Sequence, residues 1–80
     1  VRLIAQALST RAAETGDVSD VHDVRVRQSP AGLIVNYHCR VNPGMTVKQA
    51  HDAVDQLDHR VRTSFPHVIR IVGHADLKRL

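Results

Sequence analysis

The residues best placed to do chemistry together lie in the stretch His67-Val68-Ile69-Arg70-Ile71-Val72-Gly73-His74-Ala75-Asp76. Its first part is a β-branched run suited to a sheet strand. Its end sets an imidazole and a carboxylate two residues apart, and in extended chain that spacing puts both on one side of the backbone. His74-x-Asp76 is therefore a common beginning of a zinc site, because nitrogen and oxygen donors suit that ion. Taken alone, it more often describes a strand that simply ends in polar residues. Three further histidines, His22, His38 and His51, fall at points that a small fold can bring to this end.

The elements that must position them follow from periodicity. From Arg2 to about Glu14, the residues Leu3, Ile4, Ala7, Leu8 and Ala12 form one helical stripe, and Gly16 is a natural stop. Asp17-Val18-Ser19-Asp20 reads as a loop. Val21 to Gln28 alternates as a half-buried strand, with Val24 and Val26 on one face and Arg25 and Arg27 on the other. Ser29-Pro30-Ala31-Gly32 has turn chemistry. Leu33 to Val41 alternates again, placing Leu33, Val35, Tyr37, Cys39 and Val41 opposite Asn36, His38 and Arg40, so the two strands make an antiparallel hairpin. Thr46 and Gln49 form a capping box that opens a second helix. Its stripe is Val47, Ala50, Val54, Leu57, Val61 and Phe65, and Pro66 ends it. The last strand directs Ile69 and Ile71 toward the helices.

The order is therefore α-β-β-α-β, an α+β two-layer sandwich with two helices on one face of a three-stranded mixed sheet. A crossover places the third strand parallel to the first and beside it. The other face of the sheet has no cover. Arg25, Arg27, His38, Arg40 and Arg70 point there by parity and require solvent, a ligand or a second subunit.

Eighty residues make one domain, 1–80, whose core is limited at this size. Such domains often lean on a metal, a disulfide or a partner chain. Cys39 is the only cysteine, so no disulfide can form within the chain. No apolar run approaches the roughly 20 residues needed to span a bilayer, and the chain reads as soluble. The net charge of +3 is mild and its charges are interspersed, so it does not call for a nucleic-acid partner.

Each histidine also has a plain structural reading. His22 shares the parity of Val24 and would lie at the end of the core face. His38 would be an ordinary strand residue on the open face. His51 sits at the edge of the apolar stripe with Asp55 one turn on as a hydrogen-bond partner. His59 and His67 read as surface residues, and Cys39 as a small buried hydrophobe. The arginines of the open face offer an alternative function, a phosphate- or nucleic-acid-binding module, but that face lacks aromatics on which bases could stack. A hydrolase using the histidines to activate water would need a substrate pocket, and no segment supplies one, so no catalytic residue is assigned.

Together these residues resemble the cytoplasmic C-terminal domain of the cation diffusion facilitator (cation efflux) metal transporters. The likeness runs through Val21-His22-Asp23-Val24-Arg25-Val26-Arg27-Gln28-Ser29, Asn36-Tyr37-His38-Cys39, Gln49-Ala50-His51, Ser64-Phe65-Pro66 and Val68 to Asp76, about residues 18 to 77. It implies a ferredoxin-like, metallochaperone-like fold, a homodimer, and a zinc site between the subunits or at their boundary. It also implies a ligand set of His22, His38, His51, His74 and Asp76, with Zn²⁺ or another divalent transition metal as the ion. The function it implies is sensing of cytoplasmic metal, coupled to export by the transmembrane domain of the same transporter. Strand parity separates His22 from His38, so the expected arrangement has two ions. His22 and His51 would hold one, His38 and His74 the other, and Asp76 would bridge them.

Overall fold

The computed structural model describes residues 2–77, with side chains from Leu3 to Asp76. Helix α1 spans Arg2–Thr15. It buries Ile4, Leu8 and Ala12, a single line at i, i+4 and i+8. Leu3, expected in the same stripe, is 68% exposed. Gly16 then adopts φ 74° and its N–H bonds the Ala12 carbonyl at 3.1 Å, ending the helix as expected of a glycine.

Strand β1 is Val18–Ser29 and strand β2 is Gly32–Val41, paired antiparallel. The strand begins three residues earlier than expected. Val18 is buried and opposes Val41, so the ladder takes up what reads as a loop. Strand β2 alternates strictly: Val35, Tyr37, Cys39 and Val41 are buried, and the residues between them are partly open. Burial pushes the Cys39 thiol up to about 11, which keeps it protonated and unreactive.

Helix α2, Val47–Ser64, opens with the expected box: Thr46 Oγ1 accepts from Gln49 N at 3.0 Å, and Gln49 Oε1 accepts from Thr46 N at 2.9 Å. Its packing face is Val54, Leu57 and Val61, each worth about 1.5–3 kcal/mol of burial. Val47 is expected in this stripe but is 89% exposed.

Strand β3 is Val68–Leu77, and it lies beside β2 rather than β1, giving the order β1-β2-β3. The expected orientation is corrected as well, and the direction of the chain explains it. Helix α2 carries the chain back to the end where β2 began, so β3 must run as β2 does, parallel to it and antiparallel to β1. The pairing slips between Leu33 and Ile34, which oppose Val68 and Arg70. Ile69 is the extra residue and is 41% exposed, not turned to the helices; Ile71 is half-buried against the core.

One polar tie crosses the layers. The Tyr37 hydroxyl donates to Asp58 Oδ1 at 2.6 Å, joining β2 to α2. Burial raises both groups, and Asp58 is pushed up to about 6 against the pull of the Tyr37 hydrogen bond and Arg62. The ordinary carboxylate value is about 4, so between these values the folded chain takes up a proton that the unfolded chain does not. Stability from this group should therefore rise as pH falls from 6 to 4. The gain should be about 1 kcal/mol, since Asp58 keeps some contact with solvent. Urea titrations of wild type and Asp58→Asn across that range should diverge by this amount, because asparagine keeps an acceptor for Tyr37 but cannot titrate. Parallel curves would remove the effect.

Candidate metal centre

The apolar residues of β1 are spaced Val18-x-x-Val21-x-x-Val24-x-Val26. Alternation requires steps of two, so each step of three must absorb an extra residue if all four valines are to face the helices. The pairing shows this directly. Ser19 opposes Arg40, His22 opposes His38 and Arg25 opposes Asn36, so β1 advances three residues where β2 advances two, twice in succession. Asp20 and Asp23 take up the turns with φ of 50° and 51°. Left-handed backbone costs aspartate less than most residues.

These two bulges move His22 from the core face, where simple parity puts it, to the uncovered face beside His38. Strand β3 brings His74 opposite His38 from the other side. The result is a row of three imidazoles, one per strand. The His22 and His38 ring centroids are 5.7 Å apart, and those of His38 and His74 are 5.0 Å apart and stacked. The proposed division of ligands is thereby corrected: His22 stands with His38 and His74, not with His51.

His51 lies on the other side of the sheet, on α2, with its side chain 71% exposed. It borders an apolar recess with Met45, Val54, Gly73 and Ala75. Its Nε2 is 3.0 Å from Asp55 Oδ2, the expected partner one turn on. Asp76 follows His74 by two on β3, so it shares that face, and it is opposite Arg40. His59 and His67 are exposed and lie outside the row.

Sequence reasoning missed the two bulge carboxylates. His22 Nδ1 lies 2.6 Å from the Asp20 carbonyl oxygen. A carbonyl only accepts, so Nδ1 carries the proton and Nε2 keeps its lone pair for a cation. Asp20 Oδ2 also accepts from Arg40 Nε at 2.7 Å. Asp23 Oδ1 accepts from Arg25 Nε at 3.1 Å, and its Oδ2 is 3.8 Å from His38 Nε2. The hydrogen bond and charge of Arg25 hold the Asp23 carboxyl below the usual range. The signal for both residues was the three-residue valine spacing.

Among the described residues, no three His, Cys, Asp or Glu side chains are drawn together tightly enough to grip an ion as they stand. The donor set of imidazoles with flanking carboxylates nevertheless fits a borderline divalent ion such as Zn²⁺. Among those residues, no helix is long and apolar enough to cross a membrane.

The element order, the mixed sheet and its uncovered face define a ferredoxin-like domain of the metallochaperone type. A family model described as "Cation efflux protein, cytoplasmic domain" matches residues 3–77. The chain belongs to this family, the cytoplasmic domains of the cation diffusion facilitators. Solved structures agree in fold. The C-terminal domain of MamM, in the nickel form of an aspartate-to-asparagine variant, is 19% identical with a TM-score of 0.83, over 99% of this chain and 100% of that one. A cadmium form of a MamM variant is 18% identical with a TM-score of 0.81, over 96% of each chain. The metal-bound C-terminal domain of the CzcD transporter from Thermotoga maritima is 16% identical with a TM-score of 0.82, over 92% of this chain and 86% of that one. Among curated proteins, none matches the sequence.

Proposed function

We propose that this domain binds Zn²⁺ on the uncovered face of its sheet, pairs with a second copy there, and reports cytoplasmic metal to the transmembrane part of a cation efflux transporter. The observation that carries this reading is the histidine row, in which two bulges bring His22 into line with His38 and His74. Asp76 extends the donor set on the same face, and His51 is the candidate ligand from the opposite layer. The metal-bound form of the CzcD domain supports the reading. The imidazoles must turn toward one another to bind, since zinc–nitrogen bonds are about 2.0–2.1 Å. Donors from the second copy would complete the coordination. A ligand that ties three strands together, and two copies to each other, favours one arrangement of the dimer over others.

The test is metal-linked stability and assembly. At a hundredfold excess over Kd, a ligand of the folded state contributes about 2.7 kcal/mol. For a domain of this size that should raise the melting temperature by roughly 10 °C or more. Sedimentation of metal-free protein with added Zn²⁺ should show twice the monomer mass. A melting curve and sedimentation profile both indifferent to Zn²⁺ would sink the proposal.

A further inference from the structure

We infer that Arg40 is a built-in cation of this centre, and that its pairing with Asp20 sets how much metal is needed to fill the site. The inference rests on the metal-binding reading above. Arg40 follows His38 by two on β2, so it stands on the same face about 7 Å along the strand. It lies between Ser19 on β1 and Asp76 on β3, the carboxylate nearest His74 in sequence. Its side chain is only 25% exposed, against 79% for Arg25, so its charge is the less screened of the two.

A positive charge beside a cation site opposes filling of that site. Here it is held in place by the same residue that orients the first imidazole. Asp20 accepts from His22 Nδ1 through its carbonyl and from Arg40 Nε through its carboxylate. The ion pair thus cancels a carboxylate that would otherwise attract the metal, and fixes a guanidinium where the metal's charge is felt. Removing either partner changes the local charge by one unit, in opposite directions, without deleting an imidazole.

A charge cycle read by Zn²⁺ calorimetry tests this. Arg40→Gln should tighten Zn²⁺ binding by about tenfold or more, the effect of one unit charge on a divalent ion at this separation. Asp20→Asn should weaken it by a similar factor. Asparagine tolerates the left-handed backbone at this bulge, so that variant should fold. The double variant should return close to wild type, and Arg40→Lys should resemble wild type. All these differences should shrink as salt is raised. Unchanged or weaker binding in Arg40→Gln, while His38→Ala and His74→Ala lose affinity, overturns the role of Arg40 and leaves the centre standing. Unchanged binding in Asp20→Asn also overturns it, since the ion pair would then not set the charge felt at the site. Unchanged binding in both histidine variants overturns the centre, and this role with it.

Discussion

Replacing His38 with alanine should weaken Zn²⁺ binding by about a hundredfold or more, the largest loss of any single histidine. Loss of a group that merely orients a ligand already costs 10–100-fold. His38 is the middle member of the row, with His22 on one side and His74 on the other. Without it, the outer imidazoles stand on strands separated by two inter-strand spacings, about 10 Å, too far to share one ion. His22→Ala and His74→Ala each leave an adjacent pair and should cost less. His59→Ala and His67→Ala should leave affinity unchanged. His38 is on the uncovered face, so the metal-free fold should survive. Calorimetry with these variants gives the ranking directly, and equal affinity for His38→Ala and wild type would refute the row.

Gly73→Ala should cost about 3 kcal/mol of stability, at the upper end of overpacking effects. Tyr37 and Gly73 are directly opposed on β2 and β3. A Cβ at Gly73 would meet Tyr37 Oη at 2.5 Å, Cζ at 2.6 Å and Val54 Cγ1 at 2.8 Å. The ring is fully buried and tied to Asp58, so it cannot swing away without breaking that bond. The neighbouring pair in the register is His38 and His74, so a sheet pushed apart here separates two members of the row. Thermal unfolding of metal-free Gly73→Ala should show a midpoint lower by roughly 12–24 °C. Adding Tyr37→Phe should recover only the part due to the hydroxyl, because Cζ remains. A shift of only a few degrees would mean that the ring has room to move.

Much of this architecture is legible in the residues, but unevenly. Thr46 and Gln49 announce the start of α2 because a capping box is a local chemical device. The alternation from Leu33 to Val41 marks β2 because one face, from Val35 onward, is buried and the other is not. Regular parity fails on β1, where it assigns His22 to the core; the information was in the valine spacing, which needs two extra residues to keep one face apolar. The bulge at Ile69 leaves no comparable mark, since Ile69 and Ile71 are both β-branched and either could fill the core. The orientation of β3 depends on chain direction through α2 and its neighbour on the edge that the crossover reaches, three-dimensional constraints rather than patterns. The candidate ligands lie in separate elements, so their residue types are visible in sequence but their row is visible only once the register is known.

The double kink in β1 also bears on how molecules of this chain avoid one another. β1 is an outer strand, and an outer strand normally offers a straight line of unpaired N–H and C=O groups on which a foreign strand can grow. Two successive bulges break that line, and each carries a carboxylate at its turn. Strand-by-strand polymerisation along this edge is thus discouraged by the same backbone irregularity that lines up the histidines. Encounters between copies along the rim of the sheet are thereby disfavoured, which keeps the chain from polymerising where its copies are crowded.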